Sequence, residues 1–205
     1  MNDPAVHDNS AWVTLEIPAS PSELFIFLQN IERLFRLNPY LDIKQWEESA
    51  AGRRFRLQAL NEMNGVSYDL DINIEANESN SRLMLRYGQG LKDALEITLQ
   101  GADAPDKSIL TLREHYHQPT AEQREQQLKE IDHSLIPWGN AIRLYVRGLR
   151  RWAWFWPYRW YREKFWLGMR PTHRRIARMI GWVTLLEFVV FLFVFVIYWL
   201  ELARQ

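Results

Sequence analysis

The chain has 205 residues, 25 basic and 25 acidic side chains, a formal net charge of zero and no cysteine. That length accommodates one ordinary domain plus an appendage. The missing cysteines exclude a disulfide scaffold, a Cys-ligated metal and thiol catalysis, and a hydrophobic content of 47% excludes a disordered chain.

The zero charge is a cancellation. Residues 1–142 carry 13 basic and 22 acidic side chains, net −9, and residues 143–205 carry 12 and 3, net +9. Eight of the ten tryptophans lie from Trp138 onward. Two physically different objects are therefore joined in one chain. Met1–Ser10 is polar and acidic, which predicts a short flexible N-terminus without a secretory signal.

Ala11–Ile17 alternates Val13, Leu15 and Ile17 with Thr14 and Glu16, a half-buried strand. Ser20, Pro21 and Glu23 then form a capping signature. Leu24, Phe25, Leu28, Ile31, Leu34 and Phe35 keep helical spacing, as one helix or two short ones, up to Asn38–Pro39. Strands are expected at Ile43–Glu48 and Arg53–Leu60, with a hairpin turn at Asn64–Gly65. Tyr68, Leu70, Ile72 and Ile74 alternate with Asp69, Asp71, Asn73 and Glu75 in the next strand. Ser81–Tyr87, Ala94–Leu99 and Ser108–Tyr116 follow, with a turn at Glu78–Asn80. Short loops between successive strands imply an antiparallel sheet with one polar face. From Ala121 the period becomes helical through Leu128, Ile131, Leu135, Trp138, Ile142, Tyr145 and Val146, with a kink expected at Pro137.

Ile142, Val146, Leu149, Ala153 and Trp156 share one helical face, and Arg143, Arg147, Arg150 and Arg151 another. That pattern suits a helix lying among lipid headgroups. The membrane-surface set is Arg147, Arg150, Arg151, Trp152, Trp154, Trp156, Arg159 and Trp160, interrupted at Pro157 and Pro171. Basic residues interleaved with aromatics also suit nucleic acid, but the next segment argues against it. Met179–Leu200 is a 22-residue apolar run, about 33 Å of helix. Trp182 lies near one end and Tyr198–Trp199 near the other. Ten Arg and one Lys stand against a single acid between Arg143 and Arg178, which orients the N-terminal domain to the cytoplasm. The expectation is a single-pass tail anchor in an inner or plasma membrane. Glu187 is its intramembrane polar residue, read either as a contact with a partner helix or as a protonated or snorkelling carboxyl.

The opening VTLEIPASPSELFIFLQNIERLFRLNPY resembles the start of the SRPBCC superfamily, the helix-grip fold of START-like and polyketide cyclase-like proteins. The resemblance rests on the turn Ile17–Pro21, the pair Leu24–Phe25 and Leu37–Asn38–Pro39, where many members carry Trp in place of Leu37. It spans roughly residues 11–150. The fold class is thus α+β, an antiparallel sheet wrapped on a long C-terminal helix, plus a C-terminal transmembrane helix. The expected organisation is 1–10, a START-like domain at 11–150, a basic aromatic segment at 151–178 and a transmembrane helix at 179–203. The resemblance implies an apolar ligand pocket, whose inward residues are Leu57, Tyr68, Leu70, Ile72, Leu85, Ile97, Leu110, Leu112, Leu135 and Trp138.

The chain holds no GxGxxG, P-loop, HExxH or GxSxG motif. His115 and His117 share a strand face, with His133 the nearest third imidazole in sequence, too little to predict a metal. Asp69/Asp71 and Glu47/Glu48 read as charged surface, and Glu125, Glu130 and Asp132 as a solvated helix start. No catalytic residue, metal or cofactor is expected. The leading function is a membrane-anchored cytoplasmic domain that binds or carries a hydrophobic small molecule, such as a lipid, a quinone or a polyketide. Its partners are membrane lipids and a membrane protein met through the span, with no nucleic acid. One alternative is a cyclase/dehydrase-type enzyme using His115, Tyr68 or Arg113; the other is an assembly subunit of a membrane complex.

Overall fold

The computed structural model describes residues 10–77, 81–88, 92–116 and 135–203. The expected turn at Glu78–Asn80, the helical period from Ala121 through Ile131, and His117 and His133 lie outside the described residues.

Strand β1 (Ser10–Ile17) leads into helices α1 (Pro21–Leu28) and α2 (Ile31–Arg36). Six strands follow: β2 (Leu41–Glu48), β3 (Arg54–Asn61), β4 (Ser67–Asn77), β5 (Arg82–Tyr87), β6 (Lys92–Gly101) and β7 (Ser108–Tyr116). They form one seven-stranded antiparallel sheet in the order β1-β7-β6-β5-β4-β3-β2. The first two strands are its opposite edges, so α1 and α2 carry the chain from one edge to the other. Helix α3 (Leu135–Arg151) packs mainly against β1. This is the expected α+β arrangement of sheet and helix.

Local chemistry explains the turns. The Ser20 hydroxyl accepts the Glu23 amide at 3.4 Å, and the Glu23 carboxylate accepts the Ser20 amide at 3.2 Å, a complete capping box with Pro21 in the first turn. Asn30 caps α2 by accepting the Arg33 amide at 2.9 Å. Asn38 accepts the Tyr40 amide at 3.0 Å, an Asx turn that ends the helix pair. Gly65 has φ +74°, the left-handed conformation that the β3–β4 hairpin turn requires.

The core lies between the sheet's inner face and the three helices. It includes Leu57, Ile72, Leu85, Ile97, Leu110 and Leu112 from the strands, and Leu34, Trp138, Ile142 and Tyr145 from the helices. The Trp138 indole donates to the Leu34 carbonyl at 2.8 Å, joining α3 to α2. Gly139 lets α3 approach β1, since a Cβ there would stand 2.3 Å from Leu15 Cδ1.

The headgroup helix expected around residues 142–156 is not formed. Ile142 and Val146 are core residues of α3, which ends at Arg151. An apolar stripe suits an inner sheet face as well as a bilayer, and here the sheet takes it. Pro137 lies in the first turn of the helix as described, from Leu135 onward. A short α4 (Trp156–Trp160) and a π-helical turn (Tyr161–Trp166) follow, and Pro157 starts α4 instead of breaking a helix.

Residues 169–205 form a separate unit. Its helix α5 (Pro171–Leu202) has 32 residues, starts at Pro171, and is long and apolar enough to cross a membrane. None of its most apolar 18-residue window is buried. An exposed apolar surface of this length is foreign to water-soluble domains.

Candidate functional site

A small, partly open cavity of about 30 Å³ lies under the inner face of the sheet. It holds about one water, against the 300 Å³ or more typical of a ligand pocket. Four expected pocket residues line it: Leu57, Tyr68, Leu70 and Trp138. The other six, Ile72, Leu85, Ile97, Leu110, Leu112 and Leu135, are packed core. Phe35, Asn38, Leu41, Tyr87, Lys92 and Glu114 complete the wall.

Lys92 and Glu114 give the wall its chemistry. The Glu114 side chain is only 3% exposed and lies 2.8 Å from Lys92 Nζ. The Tyr116 hydroxyl donates to its second oxygen at 2.8 Å. A carboxylate taken from water needs such partners to remain charged. Strand alternation puts Glu114 inward with Leu110 and Leu112. Lys92 faces inward for a different reason. The β6–β7 register shifts between Lys92 and Ala94, so Lys92 pairs with Tyr116 while Leu95 pairs with Glu114. This bulge turns Lys92 onto the inner face, as bulges do where a side chain must be re-aimed.

The other chemistry candidates stand elsewhere. Arg113 and His115 alternate onto the outer face. Arg113 lies over the Trp12 ring at 5.8 Å, and His115 Nε2 is 3.1 Å from Glu96. Asp69 also lies on the outer face, paired with Arg56 at 3.1 Å, which holds its carboxyl below the usual carboxylate range. No group of three or more potential metal ligands occurs among the described residues. A larger concavity of about 590 Å³, lined by Glu47, Arg54, Arg56 and Asp71 among others, is open to solvent at the β2–β4 end of the sheet.

The aromatic segment after α3 is strongly exposed. Trp154 is 77% and Trp156 74% accessible, and Trp160, Arg147, Arg151 and Arg159 are exposed with them. Trp152 is more enclosed, between Trp154 and Tyr158 with ring centroids near 6 Å. Arg150 is partly engaged within the domain, donating to the Pro18 carbonyl at 2.6 Å and the Asp106 carbonyl at 2.9 Å. Leu167 and Tyr158 pin the segment to the domain. Leu167 joins the core, and Tyr158 Oη approaches α3 where a Cβ on Gly148 would lie 2.7 Å away. Glu187 is exposed on α5.

No protein-family model and no curated protein matches the chain. Solved structures do. A START superfamily protein from Mycobacterium smegmatis superposes with a TM-score of 0.51 at 17% identity, over 68% of this chain and 98% of that chain. A norcoclaurine synthase point mutant from Thalictrum flavum gives 0.56 at 13% identity, over 69% and 95%. The di-domain ARO/CYC protein BexL gives 0.53 at 12% identity, over 69% and 47%. At these identities the likeness is one of fold, and the START-like helix-grip fold expected from the N-terminal signature is present.

Proposed function

We propose that this chain is a membrane-anchored, cytoplasm-facing domain that takes one apolar small molecule with a polar end into the cavity beneath its sheet. The observation that carries the reading is the buried Lys92–Glu114 pair, with Tyr116, on the wall of an otherwise apolar cavity. A core without a ligand gains nothing from an ion pair, because hydrophobic replacement is commonly neutral or stabilising. A guest with one hydroxyl, carbonyl or amine finds a donor and an acceptor there, while Leu57, Leu70 and Trp138 cover its apolar body.

The cavity must widen roughly tenfold to accept such a guest. The guest takes over space now held by side chains such as Phe35, whose ring lies tilted against Trp138 at 5.5 Å. Helix α5 supplies the anchor, and the exposed Trp154, Trp156 and Trp160 supply an interfacial belt. Holding the domain at the bilayer shortens the path of a ligand with negligible solubility in water. Glu187 supplies a polar contact to a second membrane helix.

The test is organic extraction and mass spectrometry of the full chain, purified from membranes in mild detergent. The expected result is one apolar species near one per chain, lost in Leu70→Trp, which fills the cavity. Wild-type protein that yields bulk membrane lipid alone sinks the reading. The same ionisable pair favours a second reading, an enzyme of cyclase/dehydrase type in which Lys92 and Glu114 exchange a proton with the bound molecule. Conversion of the extracted species by wild type, absent in Glu114→Gln, separates catalyst from carrier.

A further inference from the structure

Around the Phe27–Tyr145 ring pair, three buried polar atoms stand without partners. Among the described residues, five buried side-chain nitrogens or oxygens have no hydrogen-bond partner, and three of them are Arg33 Nε, Tyr145 Oη and Arg162 Nε. These residues come from α2, α3 and the π-helical turn. The Phe27 and Tyr145 rings stand 5.7 Å apart. Arg33 covers Phe27 at 4.0 Å, and Arg162 covers Tyr145 at 4.6 Å. Tyr145 is only 1% exposed.

Arg33 Nη2 donates to the Phe27 carbonyl at 2.6 Å, yet two half-buried guanidiniums around an aromatic pair remain costly without an anion. Burial pulls the Arg33 guanidinium below its ordinary value, with Tyr145 and Glu163 acting in the opposite sense. Burial likewise raises the Tyr145 phenol. Glu163 is the acidic side chain that acts on both, yet it is exposed and hydrogen-bonds none of the three orphaned atoms. All three can donate, so what they lack is an acceptor.

We propose that Arg33, Tyr145 and Arg162 form a receptor for one oxyanion, the phosphate of an anionic lipid headgroup. Guanidiniums favour phosphate because their N–H groups match its oxygens. The lipid source follows from the surroundings. Arg162 belongs to the segment that exposes Trp154, Trp156 and Trp160, the residue types that settle at headgroup level. Tyr158 and Trp166, each 5.8 Å from the Arg162 guanidinium, hold that side chain over Tyr145. The headgroup would thus clamp the aromatic segment to α2 and α3, making the domain's footing dependent on lipid charge.

The inference rests on the membrane reading above but not on the cavity. A chain that yields no cavity guest yet retains an anionic lipid fails the carrier reading and upholds this site.

The test is native mass spectrometry of the full chain released from mild detergent, titrated separately with phosphatidylglycerol, phosphatidylcholine and inorganic phosphate. Wild type is expected to retain one phosphatidylglycerol with about tenfold preference over phosphatidylcholine, and Tyr145→Phe and Arg162→Gln each to abolish that preference. Arg162→Lys, which keeps the charge without the planar fork, restores part of it. Retention at the wild-type level in Tyr145→Phe overturns the proposal. Saturation by inorganic phosphate with no preference for lipid overturns the headgroup assignment. Should Arg162→Gln disturb the segment's fold, Tyr145→Phe, which keeps the ring and its packing, decides alone.

Discussion

Glu114 and Tyr145 are both buried groups whose polar atoms decide what their surroundings must contain, and they differ in having partners. Glu114 has two. Lys92→Met leaves its carboxylate buried with the Tyr116 hydroxyl alone, which costs about 3 kcal/mol; Glu114→Leu with Lys92→Met recovers most of that loss. Urea denaturation of the single and double variants measures both. Tyr145 has no partner for its hydroxyl, so without lipid Tyr145→Phe is neutral or slightly stabilising at pH 7. Its pH dependence has a definite sign. Burial, reinforced by Glu163, raises the folded-state phenol above its unfolded value. The stability tied to the neutral phenol is therefore complete below about pH 10 and is lost as pH rises through the folded-state value. Denaturation midpoints between neutral and alkaline pH should fall more steeply for wild type than for Tyr145→Phe, and parallel curves refute the assignment. Sequence exposes only part of this chemistry. Glu114 is in phase with Leu110 and Leu112 and is legible by alternation. Lys92 is not, because a bulge reverses its face and a bulge leaves no mark on a single sequence.

The strands of this domain are legible because each has one wet and one dry face, which forces a period of two. All seven lie within a few residues of their expected spans. The segment after residue 135 is harder for the same reason inverted. Ile142 and Val146 make an apolar stripe that two environments can accept, and only the sheet's presence selects between them. The sign of that selection is Gly139. Its missing Cβ allows α3 to meet Leu15 and Val13, at 2.3 and 3.4 Å from where a Cβ would stand. Gly139→Val should therefore cost about 2 kcal/mol despite better intrinsic helix propensity than glycine, because Leu15 must leave its rotamer and the helix must shift. A helix that merely lay on a bilayer would instead gain from losing a glycine. Urea denaturation of Gly139→Val distinguishes the two environments by the sign of the change.

At the scale of the whole molecule the charge split sorts surfaces by neighbour. The acidic excess of residues 1–142 includes the outer-face carboxylates Asp69, Asp71 and Glu75, which anionic lipid repels, and the basic excess begins at Arg143 and runs to the apolar span. Helix α5 then poses the remaining question. In the membrane-anchored reading Glu187 lies eight residues, about 12 Å, beyond Met179, within the span. A charge there costs at least about 2.5 kcal/mol on insertion scales. Leucine at the same position should insert better and, for a helix with no partner, behave identically afterwards. If instead Glu187 contacts a second membrane helix, Glu187→Leu improves insertion and loses the partner. The expected outcome is a larger complex for wild type than for Glu187→Leu on native gels in mild detergent, with at least as much Glu187→Leu chain in the carbonate-resistant membrane fraction. Deleting Pro171–Leu202 should move the chain out of that fraction altogether. Identical complexes for wild type and Glu187→Leu would mean that the carboxyl is tolerated in the span and not used there.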